Sequence, residues 1–371
     1  MIDASSSGAD TADRIRRAKG EIARGVTEAF FERHPDWKER YGEAGVQRGI
    51  EDATFHLEFL AAAVEIRDPG AFRNYGLWAA DILHARRIPA EALIENFEQI
   101  GKAVRLRLGS GADHSLIDNA IAQTAEAIRT RATDRPEQED TVVDPASVLP
   151  DPPDSLREVA EVYLGAILSG VRSTATRVLD ESLGRGTPVL DLYLHVIQRA
   201  QYRLGELWAT NRITVAQEHM ASAVTQAVLA HLYPHLPEGT VDRGPAIVTG
   251  VKGELHQIGA HMVADVLEAD GWHVRFLGTH LPKEGIVEAA ESEGAALVAI
   301  SATMLFSLGE VGHLIRELRR AAGARPLRIL VGGRAFRHSE EAWRRVGADA
   351  QAPGLVGARE AARELQSREA S

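Results

Sequence analysis

The sequence contains no cysteine. Disulfides, thiolate zinc sites, cysteine nucleophiles and thioether-linked chromophores are therefore excluded. It also lacks any uninterrupted apolar run of membrane-spanning length, and the polar N-terminus MIDASSSGADTADR has no apolar signal-peptide core. Basic stretches are missing as well. Lys and Arg total 42 against 53 Asp and Glu, a formal net charge of -11. Counterion release from phosphates therefore gives no drive towards nucleic acid. The expectation is a cytoplasmic protein with no direct nucleic-acid or membrane partner. What is present is core material: 44% of the 371 residues are hydrophobic, enough for two or three domains.

Four segments follow from the pattern. Residues 1–132 read as an all-α domain, with apolar positions three and four apart in Phe55, Phe59, Leu60, Ala63 and Val64, and again in Leu93, Phe97, Ile100 and Val104. Asp68-Pro69-Gly70 and Ile88-Pro89 punctuate it, each proline suiting the start of a helix. Residues 133–154 hold five prolines and seven acidic residues, too polar to bury a core, and read as a linker. Residues 155–240 return to helical spacing, with helices over Leu156–Ser169, Gly170–Gly184, Pro188–Thr210 and Thr214–Leu232, a four-helix bundle. Residues 241–371 change character. Short β-rich runs at Ala246–Thr249, Val274–Leu277, Ala296–Ser301 and Leu327–Val331 alternate with amphipathic stretches. That alternation predicts a doubly wound parallel sheet with ligand at the carboxyl ends of its strands.

The chemistry-bearing residues cluster at that predicted edge. The first strand runs into Glu254-Leu255-His256-Gln257-Ile258-Gly259 before a helix that continues to Asp270. His256 can project towards a ligand, and Glu254 can take the other ring N–H, the carboxylate–histidine pairing that orients a metal-ligating imidazole. Gly259 lets a bulky group approach the helix start. Ser301 and Thr303 follow the third strand, and Gly332-Gly333 follows the fourth, together making a slot for a long ligand tail.

These residues resemble the cobalamin-binding domains, in which the histidine of an Asp/Glu-x-His-x-x-Gly motif is the lower axial ligand of cobalt. The resemblance covers residues 244–354 and implies a flavodoxin-like fold. It also implies His256 as lower ligand, with Gln257 and Ile258 in the binding loop. Ser301, Thr303, Gly332 and Gly333 would line the groove for the displaced nucleotide tail. Glu254 stands where Asp is commoner and keeps the carboxylate. In the bundle, Trp208 is followed after nine residues by Glu218-His219. This resembles the helical cap of cobalamin-dependent light sensors, including the light-sensing repressors of carotenoid synthesis. That resemblance implies adenosylcobalamin as cofactor, Trp208 over the adenosyl group, and His219 as upper cobalt ligand after photolysis.

The sequence departs from the neighbouring classes in other respects. The catalytic barrel of the mutases has no room here, and the basic winged helix of the repressors is not found. The layout of helical domain, linker, cap and cobalamin domain resembles the photocobilins, which implies a non-covalent bilin such as biliverdin. His56, Phe59, Phe72, Tyr75, Trp78 and His84 gather in the helical domain, as core or as bilin neighbours. A globin-like sensor or dimerisation module is the other reading of that domain. A light sensor, not an enzyme, is the expectation, signalling through a homo-oligomer or a separate effector protein. The alternative is a corrinoid methyl carrier of a methyltransferase system.

Overall fold

The computed structural model describes residues 4–134, 149, 151–237, 242–337, 339 and 341–367, the side chains of 4–7 and 134 excepted. Most of the span expected to be a linker, residues 135–148 and 150, lies outside the described residues. The chain divides into two compact units. The first joins residues 1–139 to two short segments, 304–309 and 334–346, and the second comprises residues 140–303, 310–333 and 347–371. Among the described residues no helix is long and apolar enough to cross a membrane.

The first unit is built on α1 (Ala4–Arg33), α2 (Pro35–Glu65), α3 (Pro69–Ala85), α4 (Ala90–Leu108) and α5 (His114–Asp134). Pro69 opens α3 and Pro89 immediately precedes α4, where the missing proline N–H has no helical acceptor to lose. Gly42, with φ +61°, breaks the helical path inside α2. The apolar stripes meet in a core that fully buries Ile15, Leu57, Phe72, Phe97, Ile100 and Ile117. Each such side chain contributes about 1.5–3 kcal/mol relative to exposure. Within that core Phe59 stacks on Tyr75, with centroids 3.6 Å apart, and His56 Nδ1 shares a 2.6 Å hydrogen bond with the Tyr75 hydroxyl. Phe306 meets Phe59 edge-on, and the Arg334 guanidinium lies over the Trp78 ring. His84 is exposed in the last turn of α3.

The second unit begins with a helical bundle: α6 (Asp154–Leu168), α7 (Arg172–Gly184), α8 (Val189–Leu192), α9 (Arg199–Ala209) and α10 (Val215–Leu232). A π-helical turn, Tyr193–Gln198, makes α8 and α9 one continuous path. Thr214 and Gln217 form a reciprocal capping box at the start of α10. The α/β part follows with β1 (Pro245–Val251), α11 (Ile258–Ala269), β2 (His273–Leu281), α12 (Lys283–Ser292), β3 (Leu297–Ser301), α13 (Leu308–Ala322, its first two residues counted with the first unit), β4 (Arg328–Gly332), β5 (Ala350–Ala352) and α15 (Leu355–Ser367), while α14 (Ala342–Val346), between β4 and β5 in sequence, belongs to the first unit. All pairings are parallel, in the order β2-β1-β3-β4-β5, the flavodoxin-like doubly wound arrangement. β1 is buried along nearly its whole length, as a strand covered on both faces requires. Bundle and sheet layer share a core, because Met262 and Val266 of α11 and Leu355 of α15 pack into the bundle cluster.

His56 makes the first unit sensitive to acid. Burial pushes its pKa from 6.5 down to about 3, so the folded ring stays neutral while the unfolded chain takes up a proton. Stability is therefore lost as pH falls from about 6.5 towards 3, by up to roughly 1.4 kcal/mol per pH unit. His56→Gln keeps an acceptor for Tyr75 and is expected to flatten this slope in urea unfolding followed by hydrogen exchange in α2 and α3. An unchanged slope would place the acid sensitivity elsewhere.

Candidate functional site

β1 delivers the chain to the carboxyl edge of the sheet, and a tight turn brings it back into α11. The Glu254 amide donates to Val251 O at 3.0 Å, and Gly253 takes φ +89°, which glycine adopts without a Cβ clash. Gly250 gives the turn its space. A Cβ there would lie 2.8 Å from Thr279 Cγ2 and 3.2 Å from Glu254 Cγ.

Glu254 is fully buried. Its Oε1 accepts the His256 amide at 2.8 Å and lies 2.7 Å from His256 Nδ1, while Oε2 accepts the Thr303 amide. A carboxylate is costly to bury unless donors surround it, and these three do so. The same contacts tie the loop after β1 to the loop after β3. The His256 side chain is 61% exposed. With Nδ1 engaged by the carboxylate, a metal would be met by Nε2, with the ring fixed in orientation. Gln257 and Ile258 are half-buried, Gln257 at the N-cap of α11 and Ile258 against the bundle core. Gly259 is exposed in the first turn of α11, and a Cβ there would meet no atom within 4 Å. Protein packing therefore does not demand a glycine at this position, and the surface above it is open to a ligand.

The ends of β3 and β4 form one ledge. Ser301 lies opposite Gly332 in the parallel register, and the Ala302 amide donates to Gly332 O at 2.9 Å. Gly333 has φ +99°, and a Cβ there would lie 2.2 Å from Ala302 O. That glycine is required by the backbone itself. In the bundle, Trp208 is half-buried on α9, and Glu218 and His219 lie in the first turns of α10. Glu218 Oε2 is 2.6 Å from His219 Nδ1, Ser222 Oγ donates to Glu218 Oε1, and the His219 side chain is 75% exposed. The structure thus groups Glu254, His256 and Thr303, joins Ser301 to Gly332, and pairs Glu218 with His219.

A further link escaped the sequence reading. The buried Tyr193 hydroxyl donates to Asp265 Oδ2 at 2.7 Å, joining the π-helical turn of the bundle to α11. Burial raises the carboxyl of Asp265, and burial beside Asp265 raises the phenol of Tyr193. Helical periodicity gives no sign of it, since a π turn changes the register locally.

Glu254→Ala strips acceptors from two backbone amides and is expected to cost about 2–4 kcal/mol of stability in denaturant unfolding of the ligand-free chain. Gly259→Ala, placed in open space, is expected to stay within about 0.5 kcal/mol of the wild type. A large loss for Gly259→Ala would show that packing, and not ligand space, explains the glycine.

Comparisons with known proteins point the same way. Residues 244–359 match a family model described as B12 binding domain, and residues 159–233 match a second model of that description. The dimethylamine corrinoid protein of Methanosarcina barkeri is 26% identical over 214 residues, which are 57% of this chain and 99% of that protein. Methionine synthase of Mycobacterium tuberculosis is 26% identical over 175 residues, 47% of this chain. The chain spans only 15% of that synthase. The solved structure of the Methanosarcina barkeri monomethylamine corrinoid protein aligns with a TM-score of 0.51 at 26% identity, covering 57% of this chain and 99% of that one. Residues 159–233 and 244–359 thus each match a B12 binding domain model, and together with the corrinoid-protein relative they support cobalamin binding by this chain.

Proposed function

We propose that the chain is a corrinoid methyl carrier, holding cobalamin with His256 beneath the cobalt and offering the upper face to a separate methyltransferase partner. The observation that carries the axial assignment is the buried Glu254 carboxylate on His256 Nδ1, which presets the imidazole for a metal on its other nitrogen. The carrier role is supported by the relatives, since the dimethylamine and monomethylamine corrinoid proteins are both matched over nearly their whole length. When bound, the corrinoid supplies a cobalt centre that takes up and gives away a methyl group. Glu254 orients His256, while Gln257 and Ile258 set the start of α11. Gly259 leaves room above the helix, and Ser301, Thr303, Gly332 and Gly333 form the ledge for the nucleotide tail. Trp208, Glu218 and His219 stand on the bundle side, where the upper face would be covered between transfers.

A second reading, light sensing with adenosylcobalamin, is favoured by one specific observation. His219 is exposed and steered by Glu218, at the spacing from Trp208 seen in light-sensing caps. In that reading His219 would be the bundle residue available to hold cobalt on the side facing Trp208. Biliverdin in the N-terminal helical unit is an extension of it that rests on domain layout alone.

The full chain loaded with adenosylcobalamin in the dark separates the two. For a carrier, illumination is expected to change the spectrum as it does for free adenosylcobalamin, leaving oligomeric state unaltered, and Trp208→Ala and His219→Ala behave alike. A light-driven change of size or cap that either variant abolishes would overturn the carrier reading in favour of the sensor. In both readings His256→Ala is expected to weaken cobalamin binding by about 10–100-fold, and Gly259→Ala to weaken it without the stability loss of Glu254→Ala.

A further inference from the structure

We propose that His280 is a positioning residue for the cobalt-ligating loop: its Nδ1 accepts the Gly253 amide hydrogen and thereby sets where Glu254 and His256 stand. This rests on the reading of His256 as lower axial ligand.

The argument starts in the register of the sheet. β1 and β2 pair regularly from Pro245 opposite His273 to Val248 opposite Phe276, and then slip twice, to Thr249 opposite Gly278 and Val251 opposite Leu281. Each slip adds one residue to β2, and such bulges re-aim side chains at a strand end. Gly278, with φ +79°, accompanies the first slip, and His280, with φ +64°, the second. Glycine tolerates that left-handed backbone. For a histidine it is strained, and persists where the surroundings hold it.

Here the surroundings are the site loop. The Thr249 hydroxyl donates to Gly278 O at 3.1 Å, and Thr279 fills the space beside Gly250. The Gly253 amide donates to His280 Nδ1 at 2.9 Å. Gly253 immediately precedes Glu254, and three amides of the turn have fixed acceptors. Gly253 is held by His280, Glu254 by Val251 O, and His256 by Glu254 Oε1. His280 supplies a tether from the neighbouring strand to the Gly253 amide, and a neutral ring accepting at Nδ1 carries its hydrogen on Nε2.

The test compares wild type, His280→Ala, His280→Asn, His256→Ala and the His256→Ala/His280→Ala double variant, all in the full chain. Asn is at home in the left-handed region and offers an acceptor near the position of Nδ1. His280→Ala is expected to raise the Kd for hydroxocobalamin about tenfold, the worth of one hydrogen bond. In the cobalamin-free protein it is expected to speed exchange of the Gly253 amide by about tenfold or more. His280→Asn should stay within about threefold of wild type on both measures, and His280→Ala should add less than about twofold in Kd once His256 is gone, because coupled positions are not additive. The positioning role is overturned if His256→Ala weakens binding while His280→Ala does not. It is equally overturned if Asn fails as Ala does, or if His280→Ala costs as much in the His256→Ala background. Equal binding by wild type and His256→Ala would overturn the axial reading itself, and the positioning role with it.

Discussion

One buried carboxylate organises the candidate site. Glu254 is fully out of solvent, and its charge is tolerable only because two backbone amides and an imidazole nitrogen converge on it. Those partners come from two loops after different strands, so satisfying the charge also fixes the edge of the sheet. His256 is then an exposed ring on a rigid mount, which is what a ligand to a large, flat macrocycle requires. Remove the carboxylate and both the orientation of the ring and the junction of the loops after β1 and β3 are lost together.

A second constraint acts through the bundle. Tyr193 on the π turn and Asp265 on α11 form a buried hydrogen bond, and Met262, Val266 and Leu355 extend the bundle core onto the sheet layer. The helix that begins at the Glu254–His256 loop is therefore packed into the same core as the helices that carry Trp208, Glu218 and His219. A change at the Glu254–His256 loop or at the Trp208 and Glu218-His219 helices would be felt by one shared layer. That geometry suits a carrier that covers and uncovers its cargo, and it would equally serve a light-driven rearrangement; the relatives weigh towards the first.

Much of this was legible in the sequence, for physical reasons that differ by element. The apolar runs of β1, β3 and β4 announced strands buried on both faces, β2 being a half-exposed edge strand, and prolines 69 and 89 marked helix starts. β5, at only Ala350–Ala352, is too short to show a run or an alternation. Glu254 and His256 are two residues apart, so their pairing is a local matter that spacing can suggest. The Thr303 contact is not, because it engages a backbone amide 49 residues away and backbone atoms leave no mark on side-chain identity. Gly333 read as part of a ligand slot, whereas its left-handed φ and the closeness of Ala302 O give it a structural reason of its own. The two slips of β2 that carry Thr279 and His280 to the site loop were equally invisible, since bulges depend on pairing that only the folded sheet reveals.

The central claim is that a nitrogen of this chain, on His256, ligates cobalt from below. It is tested most directly by electron paramagnetic resonance of the full chain loaded with cob(II)alamin, prepared with ordinary and with 15N-labelled histidine. Ligation by His256 predicts nitrogen splittings that collapse from triplets to doublets on labelling, and doublets that are lost in labelled His256→Ala. Triplets that persist after labelling would show that the cofactor's own base remains on cobalt, and would contradict the account.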